Sequence, residues 1–332
     1  INPLGFPKKA AAKLAENIAM VCQYPDKNYF ALRKSIGGYT GANPEHIVVG
    51  NGSTELISTF IKSVNAKRTL IMGPAYSEYE NAVKTIGGEY TYFELKEEEN
   101  FELNVERLLT ELDGDVGLFI ACNPNNPTGT AIKTTDMEKI LIHCKTKGIS
   151  VMTDETYIEF SDEIDKICSI PLVEKYDNIF VIRGISKFFA APGLRLGYGI
   201  TSSKKFHDML AQNQDPWSVN ILASYAGEQI FTDTEFIEKT KKLISSERKR
   251  MYDEISCWKN VKIYKSASNF MLVKLLTDKV DAAEIFDYMI REKMVIRDAA
   301  SFTFLDESFL RFCVLSPEEN TKFLTELKKI VE

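Results

Sequence analysis

Short apolar runs alternate with amphipathic stretches through most of this chain. A short run that is apolar throughout is typical of a strand buried on both faces, as in a parallel sheet covered by helices. The predicted strands are 47–49, 69–72, 89–93, 116–121, 150–153, 179–183 and 197–200. The predicted helices are 8–22, 53–64, 76–86, 104–111, 134–147, 203–212 and 218–230. We therefore expect an α/β fold with a mostly parallel sheet wrapped by helices.

The pattern changes after residue 232. A long charged helix is predicted from about 233 to 257, followed by strands near 261–264, 270–275 and 310–314 and by a helix at about 281–292. This mixture predicts a smaller α+β domain. We expect a large domain of residues 30–232, and a small domain with an N-terminal arm from residues 1–29 plus 233–332. The charged run at 96–100 (KEEEN) is predicted to be a solvated loop.

Composition argues against several classes of function. The 332 residues are 44% hydrophobic, which suffices for a large domain with a smaller partner. With 41 basic and 47 acidic residues the net charge is −6, so neither nucleic acid nor an anionic membrane surface is an expected partner. No apolar run reaches the roughly 20 residues that a membrane-spanning helix needs.

The cysteines and histidines favour a cytoplasmic protein without a metal site. Six cysteines are scattered without a C-x-x-C spacing and no secretory signal is visible, which predicts free thiols in a reducing compartment. The three histidines show no pairing with each other or with a nucleophile. Because the chain begins at Ile1 without an initiator methionine, we expect that a preceding segment, and with it part of the site, is missing.

Lys187 is the first candidate for chemistry. It stands in the segment 183–195 (RGISKFFAAPGLR), among small and apolar residues and shortly before Arg195. A lysine in such surroundings can lose its proton near neutral pH, and a neutral amine attacks aldehydes to form Schiff bases.

A turn rich in glycine is the second candidate. The segment 50–55 (GNGSTE) follows the predicted strand 47–49 and opens a helix. Glycines let the backbone approach an anion, and the free N–H groups of a helix N-terminus favour phosphate. The Rossmann fingerprint requires glycine or alanine where Glu55 stands, so a dinucleotide is disfavoured and a single phosphate fits. The alternative is a helix cap by Ser53 or Thr54 without any ligand.

Three more candidates follow predicted strands. The rigid turn 123–129 (NPNNPTG) can hold a precise amide donor, although turn chemistry alone also explains it. Asp154 follows the strand 150–153, where a carboxylate either pairs with a pyridine nitrogen or caps a helix. Tyr76 follows the strand 69–72 and either lies flat on a ring or packs in the core.

Taken together, these segments resemble a known family. The segments occur in this order at predicted strand ends: GNGS at 50–53, PAY at 74–76, NPTG at 126–129, DETY at 154–157, SK at 186–187 and GLR at 193–195. The set resembles the fold-type I enzymes that use pyridoxal phosphate (PLP), in particular the group of histidinol-phosphate aminotransferase and threonine-phosphate decarboxylase. The resemblance covers residues 2–320 and implies the PLP-dependent transferase fold type I.

The resemblance implies a role for each segment. Lys187 is implied to form the Schiff base with PLP and to act as general acid and base, and Asp154 to pair with the pyridine nitrogen. Asn126 and Tyr157 are implied to hydrogen-bond the phenolic oxygen, and Tyr76 to stack on the ring. The residues implied to hold the phosphate are Gly52, Ser53, Thr54, Ser186 and Arg195. The predicted catalytic residues are Lys187, Asp154 and Tyr157.

The resemblance also implies the substrate contacts and the assembly. The residues implied to bind the substrate are Arg311, Arg297 and Gly5. The two arginines are implied to hold its anionic end. Tyr24 resembles the tyrosine that reaches into the neighbouring subunit's site, so a homodimer with shared active sites is implied. One departure from the family is Gly184, three residues before the lysine, where aminotransferases usually have threonine. One phosphate hydroxyl is therefore expected to be lost or replaced.

The sequence leaves two reactions open. If Arg311 clamps a carboxylate near the ring plane, a proton leaves Cα and the enzyme transaminates. If Arg297 and Arg311 grip a distal phosphate, the carboxylate can leave as carbon dioxide. The segments 187–198 and 296–298 look closer to threonine-phosphate decarboxylases, whereas Leu315 stands where that pattern commonly has arginine. We predict first an aminotransferase acting on a small anionic, phosphorylated or phosphonylated, amine or amino acid, and second a threonine-phosphate decarboxylase.

Two alternatives belong to other classes of protein. An NAD-dependent dehydrogenase shares the α/β alternation, but the glycine fingerprint fails at Glu55 and leaves Lys187 unexplained. A PLP-binding regulator without catalysis usually carries a DNA-binding module, of which this chain shows no sign.

Overall fold

The computed structural model describes residues 1–332 and contains two sheets. The seven-stranded sheet consists of β1 (Ile47–Gly50), β2 (Arg68–Gly73), β3 (Glu89–Glu94), β4 (Val116–Cys122), β5 (Ser150–Asp154), β6 (Ile179–Gly184) and β7 (Gly197–Ile200). The four-stranded sheet consists of β8 (Val261–Ile263), β9 (Phe270–Leu275), β10 (Arg297–Asp298) and β11 (Phe309–Cys313).

Thirteen α-helices surround the sheets. They are α1 (Lys8–Glu16), α2 (Phe30–Thr40), α3 (Ser53–Val64), α4 (Glu78–Thr85), α5 (Val105–Glu111), α6 (Thr134–Lys147), α7 (Ile164–Ile167), α8 (Ile170–Val173), α9 (Lys204–Asn213), α10 (Ile221–Ile230), α11 (Thr234–Ile255), α12 (Ala282–Arg291) and α13 (Pro317–Val331). None of them combines the length and the apolar character that crossing a membrane requires.

The strand order of the larger sheet is β1-β7-β6-β5-β4-β2-β3. Strands β3, β2, β4, β5 and β6 run parallel, and β7 is antiparallel to both β6 and β1. The prediction of a mostly parallel α/β sheet is therefore confirmed. Since β4, β5 and β6 are parallel neighbours, the turns that follow them open at the same edge of the sheet.

Both faces of the larger sheet are buried, which explains the unbroken apolar runs. Along β4, Leu118 and Ile120 face a core cluster that includes residues of α3, α4 and α9. Phe119 and Ala121 face the opposite cluster, which is the larger of the two. Successive side chains of a strand point to opposite faces, so a sheet covered on both sides needs apolar residues at every position.

The four-stranded sheet is antiparallel and is built only from strands after residue 260. Helix α11 connects it to the larger sheet, because Arg248 donates to the Phe160 carbonyl (2.8 Å) and to the Ser268 carbonyl (2.7 Å). The elements agree with the predicted smaller α+β part. The domain boundaries at residues 30 and 233 stay a prediction.

The charged run at 96–100 is not a freely solvated loop. The Glu97 carboxylate accepts hydrogen bonds from Lys274 Nζ (2.7 Å) and Tyr264 Oη (2.8 Å), and Lys262 Nζ lies 3.4 Å from it. These partners all lie in or beside β8 and β9. The prediction of a solvated loop was wrong at Glu97, because composition alone cannot show which basic residues the fold brings to a charged run.

One predicted helix was too long, and four helices of the structure (α2, α7, α8 and α13) were not predicted. Helix α1 ends at Glu16, and residues 18–22 form a separate 3₁₀ turn, so the predicted helix 8–22 was too long. Helix α2 was not predicted, because its sequence contains the pair Gly37–Gly38, which disfavours helix. Packing overrides this preference, since Leu32 and Ile36 are fully buried. Helix α13 also lay outside the predicted set.

Candidate active site

A cavity of about 210 Å³ opens at the edge of the larger sheet where β4, β5 and β6 end. Thirteen residues line it: Ser53, Thr54, Tyr76, Tyr79, Cys122, Asn126, Asp154, Thr156, Tyr157, Ser186, Lys187, Pro192 and Arg195. Nine of the predicted site residues are therefore brought together, although they are spread over more than 140 positions of the sequence. The other four lining residues were not predicted.

One end of the cavity combines a helix N-terminus with an arginine. Gly52 has a φ of +81° and precedes α3, whose first turn carries no side-chain cap. The capping alternative for Ser53 and Thr54 is therefore not adopted, and the N–H groups of this turn remain free for a ligand. Arg195 lies against Gly52 and makes one hydrogen bond, from Nη1 to the Pro192 carbonyl (3.1 Å). A helix N-terminus and a guanidinium without a carboxylate partner suit a phosphate group.

Asp154 lies at the bottom of the cavity and is buried at the end of β5. Tyr79 Oη donates to Oδ2 (2.8 Å), while the backbone N–H (3.0 Å) and the hydroxyl (2.5 Å) of Thr156 donate to Oδ1. Burial raises the pKa of Asp154, and the hydrogen bonds from Thr156 and Tyr79 oppose that rise. The carboxylate is fixed in place, and its position suits a cationic group such as a protonated pyridine nitrogen.

Lys187 reaches the cavity from the loop that follows β6. Burial lowers the pKa of its amine, and the nearby positive charges of Arg311 and Arg195 lower it further, whereas Cys313 and Asp154 oppose the shift. No carboxylate forms an ion pair with it within 4.0 Å. These surroundings favour the neutral, nucleophilic amine.

Asn126 and Tyr157 flank the cavity near the end of β4. Arg311 Nη1 donates a hydrogen bond to Asn126 Oδ1, which leaves the amide nitrogen of Asn126 as the group available to a ligand. The Tyr157 ring packs edge-on against Phe270, with ring centroids 5.0 Å apart. Burial raises the pKa of Tyr157, so its hydroxyl stays protonated and can donate. Both side chains therefore offer donors to an electronegative ligand atom.

The other predicted residues lie around the cavity or outside it. Tyr76 lines the opening, and its ring is edge-on to that of Tyr79 at 5.8 Å. Arg311 stands directly opposite Arg297 in the register of β10 and β11. Arg297 is exposed, donates to Ser301 Oγ (2.8 Å) and does not line the cavity.

Two predicted residues lie in the N-terminal segment. Gly5 has a φ of +71°, and its N–H donates to the Asn2 carbonyl (3.2 Å). Tyr24 is 81% exposed, and its ring lies 5.0 Å from that of Trp217. Neither lines the cavity of this subunit.

Sequence reasoning missed four lining residues: Tyr79, Cys122, Thr156 and Pro192. Two of them carried a usable signal. Thr156 stands two residues after Asp154, the spacing at which an aspartate accepts a hydrogen bond from the backbone ahead of it. Tyr79 stands three residues after Tyr76, which is close to one helical turn. No signal in the sequence distinguishes Cys122 from other buried strand residues.

No three side chains of His, Cys, Asp or Glu are grouped so that they could hold a metal ion. The cavity brings together a lysine, a buried aspartate and an anion site beside an arginine, a set of groups that suits a phosphorylated pyridine aldehyde.

The chain belongs to the aminotransferase class I and II family, whose model matches residues 4–327. This family uses pyridoxal phosphate, so the predicted cofactor and the predicted fold-type I architecture are confirmed. The turn at Gly52 beside Arg195, the buried Asp154 and Lys187, whose pKa is lowered by burial, suit the phosphate, the pyridine nitrogen and the aldehyde of that cofactor.

Three relatives show how similar this chain is to known proteins. A protein of Caldanaerobacter subterraneus subsp. tengcongensis named "Putative threonine-phosphate decarboxylase" is 37% identical over 332 residues, which covers 100% of this chain and 89% of the relative. The crystal structure of the histidinol-phosphate aminotransferase from Clostridium acetobutylicum matches with a TM-score of 0.92 and 34% identity, covering 99% of this chain and 97% of that one. The crystal structure of L-threonine-O-3-phosphate decarboxylase from Porphyromonas gingivalis matches with a TM-score of 0.86 and 26% identity, covering 98% and 95%.

Proposed function

We propose that this enzyme uses PLP, held by Lys187, to transfer the amino group of a small amine or amino acid that ends in a phosphate, a phosphonate or a carboxylate. The observation that carries the proposal is the cavity in which Lys187, Asp154 and Arg195 converge from three separate segments of the chain. When bound, PLP withdraws electrons from a bond at Cα of the substrate.

Each residue of the cavity has a separate role in this proposal. Arg195 and the first turn of α3 hold the phosphate of the cofactor. The Asp154 carboxylate, held in place by Tyr79 and Thr156, would stabilise a proton on the pyridine nitrogen through its negative charge. The Lys187 amine, once released, is the base that accepts the proton from Cα and returns it to the product. Asn126 and Tyr157 donate hydrogen bonds to the phenolic oxygen.

The two arginines of the four-stranded sheet support an anionic substrate. Arg297 and Arg311 face each other across β10 and β11, and neither is paired with a carboxylate. The Nε atom of Arg311 is buried without a hydrogen-bond partner. Two like charges in register destabilise a sheet unless an anion lies between or beside them. A substrate anion would accept a hydrogen bond from Arg311 and would reduce the repulsion between the two arginines.

Transamination is our first candidate because the two arginines differ in position. Neither arginine lines the cavity, but Arg311 donates to Asn126, which does, whereas Arg297 donates to Ser301. Arg311 would hold the carboxylate of the substrate beside Asn126, and the proton on Cα would then be the group that Lys187 removes. The amino group then passes to a 2-oxo acid, which becomes the second product as an amino acid.

Decarboxylation is the second candidate, and a specific observation favours it. The relative with 37% identity over the whole chain carries the name of a threonine-phosphate decarboxylase. In that case both arginines bind a distal phosphate, the carboxylate leaves as carbon dioxide, and an amine remains after a proton is added at Cα.

The experiment that separates the candidates measures products. The holoenzyme is incubated with O-phosphothreonine, O-phosphoserine, histidinol phosphate or aminoethylphosphonate, each with and without 2-oxoglutarate. Transamination predicts glutamate and a carbonyl product only when 2-oxoglutarate is present. Release of carbon dioxide without 2-oxoglutarate contradicts the first candidate and supports the second. Turnover of none of these or other anionic amines contradicts the proposal as a whole.

A further inference from the structure

The buried side chain of Asn2 joins the N-terminal segment to the loop that carries Lys187. Its backbone N–H donates to the Lys187 carbonyl (3.1 Å), and its Nδ2 donates to the Phe188 carbonyl (2.7 Å). The same Nδ2 donates to Thr240 Oγ1 on α11 (2.9 Å). Asn2 is 3% exposed and Thr240 is fully buried. Asn2 thus connects the N-terminal segment to the loop that carries Lys187 and to α11.

The lysine loop has little support of its own. Within it, the Ala190 N–H reaches the Lys187 carbonyl at 3.3 Å and the Ala191 N–H reaches the Ile185 carbonyl at 3.4 Å, both long for hydrogen bonds. Ala190 has a φ of +49°, a left-handed conformation that costs free energy for a residue with a side chain. A turn of this kind persists only where its surroundings hold it in place, and the two donors of Asn2 bind its first two carbonyls.

We propose that Asn2 is a positioning residue for Lys187: it fixes the backbone of residues 187 and 188, so that the lysine amine enters the cavity in one orientation. Asn2 does not line the cavity and acts only through the lysine loop. Thr240 supports this role, because its hydroxyl oxygen accepts a hydrogen bond from Asn2 Nδ2 and so orients the side-chain amide towards the loop. The inference rests on the proposed role of Lys187.

A purely structural role for Asn2 is the competing explanation. Its Oδ1 accepts a hydrogen bond from the Leu4 N–H (3.0 Å), which shapes the N-terminal segment without touching the lysine loop. Removal of Thr240 Oγ1 separates the two roles, because it leaves the bond to Leu4 intact.

The chain offers a matched control in Asn320, which is 1% exposed and lies on α13. Its Nδ2 donates to Glu247 Oε2 (2.8 Å) and to the Leu315 carbonyl (2.9 Å), and its Oδ1 accepts from the Leu315 N–H (2.8 Å). It therefore resembles Asn2 in burial and in hydrogen bonds, but none of these bonds reaches the loop that carries Lys187.

The test compares Asn2→Ala, Thr240→Val and Asn320→Ala in the full chain. Three quantities are measured: the pH midpoint of the visible absorbance band of lysine-bound PLP, the Kd for PLP, and amide hydrogen exchange of residues 187–191 in the cofactor-free protein. We expect both Asn2→Ala and Thr240→Val to shift the pH midpoint and to speed hydrogen exchange in the loop. The Kd for PLP should rise about fivefold, which corresponds to the loss of one hydrogen bond. Asn320→Ala is expected to lower the free energy of unfolding without any of these changes.

Each outcome decides a definite point. If Thr240→Val and Asn2→Ala leave midpoint, Kd and exchange as in the wild type, or if Asn320→Ala changes them equally, the positioning role is overturned. If Asn2→Ala does not fold, Thr240→Val alone carries the test, since it replaces a hydroxyl by a methyl group of similar size. If Lys187→Ala retains the visible band, the proposed role of Lys187 fails, and the positioning role fails with it. A band that is lost in Lys187→Ala but unmoved in the other variants overturns the positioning role alone.

Discussion

At the scale of single residues, the contact between Gly52 and Arg195 decides whether the anion end of the cavity is open. A Cβ atom at Gly52 would lie 2.3 Å from Arg195 Nη2, far inside van der Waals contact. The backbone at Gly52 also has a φ of +81°, which disfavours any residue with a side chain. Glycine is required here so that the guanidinium can lie against the first turn of α3.

The substitution Gly52→Ala is predicted to displace Arg195 and to weaken binding of PLP. We expect the Kd for PLP to rise by about tenfold or more, because a charge-assisted contact to phosphate is lost. Equilibrium titration of the cofactor-free protein measures the effect. Gly41→Ala is the control, since Gly41 has a similar φ of +76° but open space around its Cβ position. An equal loss of affinity in both variants would contradict this account.

Glu159 is a buried acid that takes no part in the proposed chemistry. It is 2% exposed, its Oε2 has no hydrogen-bond partner, and burial raises its pKa to about 7, while the charge of Arg183 opposes the rise. Arg183 itself is paired with Glu155 (2.7 Å). The other titratable groups facing this cluster are Tyr39, Tyr198 and Lys241.

This burial predicts a dependence of stability on pH. Glu159 of the unfolded chain loses its proton near the ordinary value of 4.5, whereas the folded protein keeps it up to about 7. Since the folded state binds more protons in this range, the free energy of unfolding falls as pH rises from about 4.5 to about 7 and then stays level. Glu159→Gln should remove this dependence on pH. Above pH 7, the free energy of unfolding of the variant should therefore exceed that of the wild type by at most about 3 kcal/mol.

Urea unfolding of both proteins between pH 5 and pH 8 tests this prediction about Glu159. The exposed Glu238 on α11 serves as the control, through Glu238→Gln. A difference between Glu159→Gln and the wild type that does not change with pH would show that the carboxyl does not titrate in this range.

At the scale of elements, α11 fastens the strand-end segment that follows β5. The Arg248 guanidinium binds the carbonyls of Phe160 and Ser268 and the carboxylate of Asp162 (2.5 Å). Phe160 lies three residues after Tyr157, so α11 holds the wall of the cavity as well as the four-stranded sheet.

Arg248→Met is predicted to lower the free energy of unfolding by about 3 kcal/mol, because two buried carbonyls lose their donor while the apolar volume is kept. Urea unfolding measures the change. Lys249→Ala removes the adjacent exposed ion pair with Asp253 and should change stability by less than about 1 kcal/mol. Similar effects of the two substitutions would contradict the role given to α11.

The elements show which parts of the molecule could be predicted from the sequence. The strands of the larger sheet were found because burial on both faces produces apolar runs, and the motifs at their ends located Asn126, Asp154 and Lys187. The partners of Asp154 could not be found in the same way, since Tyr79 comes from α4, whose distance from β5 is set by packing. Helix α2 and the contacts of Glu97 were missed for the same reason: tertiary packing, not local preference, decides them.

At the scale of the whole molecule, the N-terminal segment exposes aromatic rings that a second subunit is expected to cover. Tyr24 and Trp217 lie together at the surface, and Phe30 is exposed on the same segment as Tyr24. Surface aromatic groups of this kind are typical of interfaces between proteins. We predict a homodimer in which Tyr24 of one subunit contributes to the cavity of the other.

Mixing two inactive variants tests whether the sites are shared. Tyr24→Ala and Lys187→Ala are each expected to have low activity as homodimers. After joint unfolding and refolding, a hybrid dimer contains one cavity with both wild-type residues, so activity should exceed that of either variant alone. Activity in the mixture no greater than the mean of the two parents would contradict shared sites, and a monomer in sedimentation would contradict the dimer.

Reductive trapping shows whether Lys187 is the residue that holds the cofactor. The wild type and Lys187→Ala are incubated with PLP, reduced with borohydride, digested, and analysed by mass spectrometry. We expect one modified peptide, carrying the cofactor on Lys187. Lys187→Ala should show no stoichiometric modification and should lack the visible absorbance band. Stoichiometric attachment to another lysine, or a band retained in Lys187→Ala, would contradict this role of Lys187.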